Sequence, residues 1–288
     1  MARFTIASPV SADEHAAVDR LIRAAEAAVD HELVGARRPH GGAVAAWSGG
    51  RPLAVAQVAR DDRRWDVELA YDRDGGDDAW TAARDVLAAA VDRARDGGGG
   101  PVHLWITHPE PAHDELAAAA GLARDRDLWQ MRRSLPVGEP FDLATRPFLV
   151  GQDEEAWVAV NNRAFAWHPE QSGWTVADVA AREAEPWFDP EGFLLHEEGG
   201  RLVGFCWTKV HAAHDPPLGE IYVIAVDPDA HHRGLGRKLT LAGLDHLAGR
   251  GLAVGMLYVD AGNAPATRLY RDLGFTVDHI DRAYAGTV

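Results

Sequence analysis

Cysteine is nearly absent: the 288-residue chain has one, Cys206. That count excludes a disulfide within the chain and a thiolate metal cluster, and it fits a reducing compartment. Positive charge is also scarce. Lys and Arg number 29 against 44 Asp and Glu, for a formal net charge of -15, whereas a protein that grips nucleic acid or an anionic membrane regardless of sequence needs clustered cations. Neither partner is expected, and any anion site must be local. Long apolar runs are missing too: no stretch reaches the roughly 18 residues of a membrane span, and the opening segment MARFTIASPVSADEH lacks the apolar centre of a signal peptide. The expectation is a cytoplasmic monomer that acts on small molecules and carries no metal.

Hydrophobic residues make up 47% of the chain, enough for two ordinary cores at roughly 100 to 200 residues per domain. An internal repeat points the same way. AVAAWSGGRPLAVAQVA (43 to 59) matches FLLHEEGGRLVGFCWTK (193 to 209), each a pair of β-prone apolar runs around Gly-Gly-Arg, the composition of a hairpin. Downstream, HLWITHPEPAHDELAAAAGLARDRDLWQMR (103 to 132) lies over MLYVDAGNAPATRLYRDLGFTVDHIDRAY (256 to 284) in the order strand, loop, helix, Gly turn, strand. The segment PVGEPFDLATRP (136 to 147), Pro at both ends and without periodicity, reads as an exposed connection. The boundary is placed there, dividing the chain into 1–138 and 139–288. In the second part the pattern predicts helices at 153–165, 177–188, 234–251 and 264–274, with strands between them. The fold class is α/β (α+β), two tandem domains, each a mostly antiparallel mixed sheet flanked by helices.

YVIAVDPDAHHRGLGRKLT (222 to 240) runs from a strand through a Gly-rich turn into a helix. Glycine lets the backbone approach a ligand closely, and the first amides of a helix are unpaired and lie at its positive end, so the turn suits a pyrophosphate. Arg233, Arg237 and Lys238 add local positive charge. The competing interpretation is a loop whose glycines serve only the turn. The spacing matches neither the dinucleotide-binding fingerprint nor the P-loop.

A turn of this type after a strand, followed by Asn-x-x-Ala at Asn263 to Ala266 and Leu-Tyr-x-x-x-Gly-Phe at Leu269 to Phe275, resembles the GNAT family of N-acetyltransferases. QMRRSLP, VNNRAFAWHPEQSGWT, EPWFDPEGFLL, GFCWTKVH, LGEIYVIAVDP, LTLAGL and MLYVDAGNAPATRLYRDLGF, in order from Gln130 to Tyr284, are similar to its mycothiol synthase branch of tandem acetyltransferases. The resemblance implies acetyl transfer from acetyl-CoA to the cysteinyl amine of desacetylmycothiol (cysteinyl-glucosaminyl-inositol). It also implies that Ile224, Ala225 and Val226 receive the pantetheine arm. His231, His232, Arg233, Gly234, Leu235, Gly236 and Arg237 would receive the pyrophosphate, His231 standing where Gln or Arg is usual. Asn263, Ala264, Pro265, Ala266, Thr267 and Arg268 match the segment beside the thiol end. Glu220 matches the general base and Tyr270 the residue that protonates the departing thiolate. Glu170, Lys209 and Tyr258, with Glu220, match acceptor-contacting positions. Cys206 reads as a packing residue.

In the first half, WDVELAYDRDGGDDAWTAA (65 to 83) takes the place of the cofactor strand and turn, but with acidic Asp-Gly-Gly-Asp-Asp, which would repel a pyrophosphate. Ala117 stands opposite Tyr270 in the repeat, and Trp65 near Glu220. A degenerate, non-catalytic first domain is expected. The family's N-terminal acidic contact to the acceptor matches Ala36, with Glu32 nearby. Two other readings stay open: an acetyltransferase for another amine, such as an aminoglycoside or peptide N-terminus, and a non-catalytic acyl-CoA sensor.

Overall fold

The structure, a computed structural model, describes residues 4–8, 10–29, 42–60, 64–166, 171–231 and 233–288. The chain divides into two compact units. Unit 1 is Met1–Trp129 with Asp260–Gly262 and His279–Val288, and unit 2 is Gln130–Val259 with Asn263–Asp278. The division departs from the boundary expected at 138/139. The Pro-flanked connection belongs to unit 2, and the last ten residues return to unit 1. The reason is strand pairing: the final strand runs antiparallel to the strand at Pro101–Thr107, with Asp281 opposite Thr107 and Thr287 opposite Pro101.

Unit 1 contains β1 (Thr5–Ala7), α1 (His15–Val29), β2 (Val44–Ser48), β3 (Arg51–Arg60), β4 (Trp65–Tyr71), α2 (Gly76–Asp96), β5 (Pro101–Thr107) and α3 (Pro111–Ala119). It also holds the first half of β6 (Ala123–Ser134) and most of the final strand, β12 (Thr276–Thr287). The hairpin read around Gly49 and Gly50 is β2–β3, antiparallel. Ala79, Ala82, Ala83, Ala90 and Ala94 of α2 are all buried with Val86, Leu87 and Val91 against the sheet, because small side chains let a helix lie close to a strand surface. β12 is fastened by Arg282, whose Nε donates to Asp127 at 2.8 Å and Nη1 to Asp114 at 3.0 Å. The Tyr284 hydroxyl donates to the same Asp114 at 2.8 Å. That bond holds the Asp114 carboxyl below its usual range, while burial pushes the Tyr284 phenol up to about 12.

Unit 2 repeats the plan. Its elements are β7 (Arg146–Pro147), α4 (Glu154–Ala164), α5 (Val176–Glu183), β8 (Phe193–Glu198), β9 (Arg201–His211), β10 (Leu218–Val226), α6 (Leu235–Gly249), β11 (Val254–Asp260) and α7 (Ala264–Asp272). The strand order β11-β10-β9-β8-β7 is antiparallel except for the β10/β11 pair, which is parallel. One sheet face carries an aromatic core: Trp157 of α4 stands edge-on to Phe193 and Trp207, which stack on each other at 4.3 Å. The other carries α6, whose Leu235, Leu239, Leu244 and Leu247 are buried as the helical spacing predicts. The segment 177–188, read as one helix, ends sooner. Thr175 and Asp178 form a capping box at its start, and the helix stops at Glu183, three residues before Pro186, which cannot continue it.

Helix α6 seats on β9 and β10 through Gly243, where a Cβ would collide with the Cys206 sulfur and come within 2.7 Å of Ile221 Cδ1. Cys206 is the buried packing residue expected, and burial pushes its thiol well above the ordinary range. Gly243→Ala should therefore overpack this seam. We expect about 1–3 kcal/mol of destabilisation and a melting temperature lower by roughly 5 °C, read by differential scanning calorimetry.

Candidate active site

Strands β10 and β11 begin as a parallel pair, with Leu218, Gly219, Glu220 and Ile221 opposite Val254, Gly255, Met256 and Leu257. The pairing stops there, although β10 continues to Val226 and β11 to Asp260. The register of β10 on β9 shifts between Ile221 and Val223, and a bulge of this kind bends its strand and sharpens the twist. The far end of β10 stays with β9, Ile224 opposite Cys206 and Val226 opposite Gly204, and so leaves β11. Beside that end of β10 lies a cleft of about 530 Å³, within the range of small-molecule sites.

The cleft is walled by Ile224, Ala225 and Val226 on one side and by Asn263, Pro265 and Ala266 on another. Asn263 caps α7, its Oδ1 accepting from the Ala266 N–H at 3.2 Å. A third wall is the entry to α6: His231, Gly234, Leu235 and Gly236. Gly234 sits at φ 74°, the left-handed region open to glycine. A Cβ on Gly234 would meet nothing within 4 Å, and one on Gly236 would meet only Leu269 Cδ2 at 3.8 Å. The bare backbone of the turn thus borders open space. The helix has no side-chain cap and no acidic residue in its first turn, leaving its positive end available to an anion. Tyr270 closes the floor, its ring edge-on to Phe275 at 5.8 Å, and burial pushes its phenol well above the ordinary range.

Several expected contacts stand elsewhere. Arg233 forms a bidentate pair with Glu198 at 2.8 Å on both arms, and Arg237 pairs with Glu139 at 3.0 and 2.7 Å. Neither is among the cleft's lining residues, since each carboxylate lies close enough to hold its guanidinium. Ala264 and Thr267 are not lining residues either; the Thr267 hydroxyl turns back to the Ala264 carbonyl at 3.2 Å. The Arg268 side chain is 86% exposed beside Asp272. His232 and Glu170, with Glu32 and Ala36, lie outside the described residues.

Glu220 is 6% exposed. It faces Lys209 across β9 and Met256 across β11, and since cross-strand partners share a face and side chains alternate, Lys209, His211, Glu220 and Tyr258 lie on one face. The Glu220 carboxylate meets the His211 ring, Oε2 to Nε2, at 2.7 Å. Lys209 lays its ammonium over the rings of Trp187 and Tyr222, 4.7 and 5.5 Å from their centroids. The Tyr258 hydroxyl accepts from Gln130 Nε2 at 2.8 Å.

Two participants escaped the sequence reading. His211 is one; its place two residues beyond Lys209 on the same strand face was the available signal. The other is Asp227, fully buried, which accepts from the Asp229 amide at 3.0 Å and pairs with Arg163 at the end of α4. This ties the cleft's turn to the helix that supplies Ala164 and Phe165 to its wall. A separation of 64 residues gave no local hint of the pair.

Unit 1 has the same parting of parallel strands: Trp65–Glu68 pair with Val102–Trp105, and β4 then runs on to Tyr71. The Tyr71 hydroxyl meets His113 Nε2 at 3.0 Å, and Trp80 stands edge-on to both rings. Among the described residues, Tyr71 and His113 with Trp105 and Thr107 line a small cavity of about 30 Å³ there. Burial raises the Tyr71 phenol and lowers the His113 imidazole, so each is held neutral. The first turn of α2 carries Asp77 and Asp78.

A model of the acetyltransferase (GNAT) family matches residues 157–275. A mycothiol acetyltransferase of Thermobispora bispora is 53% identical over 207 residues, 69% of each chain. One from Acidimicrobium ferrooxidans is 41% identical over 280 residues, 91% of this chain and 90% of the relative. Among solved structures, a tandem GNAT protein from the clavulanic acid biosynthesis pathway superposes with a TM-score of 0.67 at 16% identity, covering 99% of this chain and 98% of that one. This last likeness is one of fold. Among the described residues no helix is long and apolar enough to cross a membrane, and no group of three or more His, Cys, Asp or Glu could hold a metal ion.

Removing the Arg163 partner should leave the Asp227 carboxylate buried and uncompensated. Because the guanidinium is itself half exposed, we expect Arg163→Met to cost about 2 kcal/mol, below the range for a fully buried pair. Urea denaturation would read this, and Asp227→Asn in the same background should recover part of it.

Proposed function

Since the chain belongs to the mycothiol acetyltransferases, a group within the acetyltransferase (GNAT) family, we propose that unit 2 transfers the acetyl group of acetyl-CoA to the cysteinyl amine of desacetylmycothiol. The observation that carries the assignment is the cleft along the far end of β10, which runs from the uncapped start of α6 to the Tyr270 ring. The diphosphate is held by amides of Gly234, Leu235 and Gly236 at the positive helix end. Positive side chains take little part, since Arg233 and Arg237 are paired with Glu198 and Glu139. The pantetheine arm, an extended chain with amide groups, lies along Ile224 to Val226 and takes the hydrogen bonds that β11 no longer makes there.

The acceptor amine has a reference pKa near 8, so a carboxylate suffices to strip its proton. Glu220 does this directly or through one water. The amine then attacks the thioester carbonyl, whose oxygen gains negative charge and is stabilised by a backbone N–H of Ile224 to Val226. The C–S bond breaks, the departing sulfur takes the phenolic proton of Tyr270, and the second proton of the amine nitrogen, lost as the amide forms, restores the phenol. Burial raises that phenol, so it carries the proton at neutral pH. Lys209 and Tyr258 lie on the same face as Glu220 and offer an ammonium and a phenol to the acceptor's hydroxyls; Glu170 is assigned to the same recognition from the family resemblance. A site of this kind rejects ligands that leave its polar groups unpaired.

Acetyl transfer is assigned to unit 2 alone. Among the described residues, the unit 1 cavity beside Tyr71 and His113 measures about 30 Å³, and the helix start there carries Asp77 and Asp78 where the diphosphate would need positive potential. Isothermal titration should therefore give one acetyl-CoA per chain, and two would overturn this assignment.

Mass spectrometry of the product with acetyl-CoA and desacetylmycothiol tests the reaction, with an aminoglycoside and a peptide N-terminus as competitors. Turnover of a competitor in preference to desacetylmycothiol would replace the acceptor. Glu220→Gln should lower kcat by about 10²- to 10⁴-fold while acetyl-CoA binds within about twofold of the wild type. A parallel loss of affinity would argue for a structural carboxylate.

A further inference from the structure

Acetylation of a protonated amine releases one net proton: R–NH3⁺ and acetyl-CoA give the amide, the free thiol and H⁺. If Glu220 receives that proton, the carboxyl must lose it again before the next turnover, yet it is 6% exposed. Tyr270 does not remove it, because the phenol gives its proton to the sulfur and is restored by the amine's second proton. A route from Glu220 to water is therefore part of the reaction and needs a group that can accept and release a proton near neutral pH.

We propose that His211 is that group, a proton relay between the buried carboxyl and solvent. This rests on the assignment of Glu220 as base. The ring is at hydrogen-bond distance, Nε2 to Oε2 2.7 Å, and is itself about one-fifth exposed against 7% for the carboxylate side chain. It thus spans the step from buried to wet. His211 is the last residue of β9, where the chain leaves the sheet, and His214 in the following turn stands edge-on to it at 5.7 Å between ring centroids. Among the described residues, the titratable groups set against His211 are Glu220 from β10 and His214 from the turn. Lys209, two residues back on the same face, directs its ammonium to Trp187 and Tyr222. An imidazole is the side chain whose ordinary titration lies in the physiological range. In each cycle the amine proton passes to the Glu220 carboxylate and from the carboxyl to Nε2 of a neutral His211 whose own proton sits on Nδ1. The imidazolium then gives its Nδ1 proton to water, and proton exchange with solvent restores the starting tautomer, so both groups return to their starting state with no further reactant.

Two variants test this against the wild type, on whichever acceptor amine the wild type acetylates. Failure of the wild type on desacetylmycothiol would thus overturn the acceptor while leaving the His211 comparison intact. His211→Gln keeps a hydrogen-bond donor for Glu220 but cannot carry a proton, and His211→Ala leaves space for a small base. For both we expect kcat to fall by about 10- to 100-fold, with the KM for acetyl-CoA within about twofold and an altered kcat–pH profile. Added imidazole should raise kcat of the Ala variant in proportion to its free-base form, and leave the wild type unchanged. A Gln variant with wild-type kcat and pH profile would reduce His211 to a positioning residue and overturn the relay. So would an Ala variant whose lost rate imidazole does not restore. Should the Ala variant fail to fold, the Gln variant alone decides.

Discussion

Parallel strands β10 and β11 share hydrogen bonds over four residues and then separate, and the chemistry of unit 2 depends on that separation. Backbone polar groups that lose a ladder partner need another, because leaving them buried and unpaired is costly. A ligand with an extended, amide-bearing chain supplies such partners. The bulge at the middle of β10 does two things at once. It turns the strand's far end away from β11, and it leaves Glu220 ahead of the opening and Ile224 to Val226 within it.

The same constraint met by different side chains gives a different outcome in unit 1. Strands β4 and β5 also part after four paired residues, but there Tyr71 and His113 meet each other with Trp80 edge-on to both. Packed interiors tolerate few voids, and rings in mutual contact leave little space beside them. The helix that follows also begins differently. Asp77 and Asp78 interact favourably with the positive end of α2, which removes the attraction for an anion, whereas α6 begins with glycines and no acid. Backbone geometry is thus common to both units, and side-chain volume and charge separate their uses.

Much of the site was legible because its signals are local. A strand followed by a Gly-rich turn and an uncapped helix occupies fewer than twenty consecutive residues, and the turn's conformational demand falls on Gly234, the one residue type that meets it without strain. The Asn263 cap and the apolar stripe of α6 are local in the same sense. Charges were harder to read. Arg233 and Arg237 looked like anion ligands from their spacing, but Glu198 and Glu139, 35 and 98 residues away in the chain, hold them.

The order of elements, the repeat, the hairpins and the glycine turn were determined by the sequence, because periodicity, turn chemistry and motif spacing act over a few residues, while Glu220 and Tyr270 were singled out by the family resemblance. Only the tertiary structure decided where the division between units falls, since β12 pairs with β5 across a long stretch of chain. It alone brought His211 to Glu220 and Arg163 to Asp227, and set Tyr71 against His113 in the other unit. These outcomes depend on which side chains meet after the strands have paired, and pairing between distant segments leaves no mark in the local sequence.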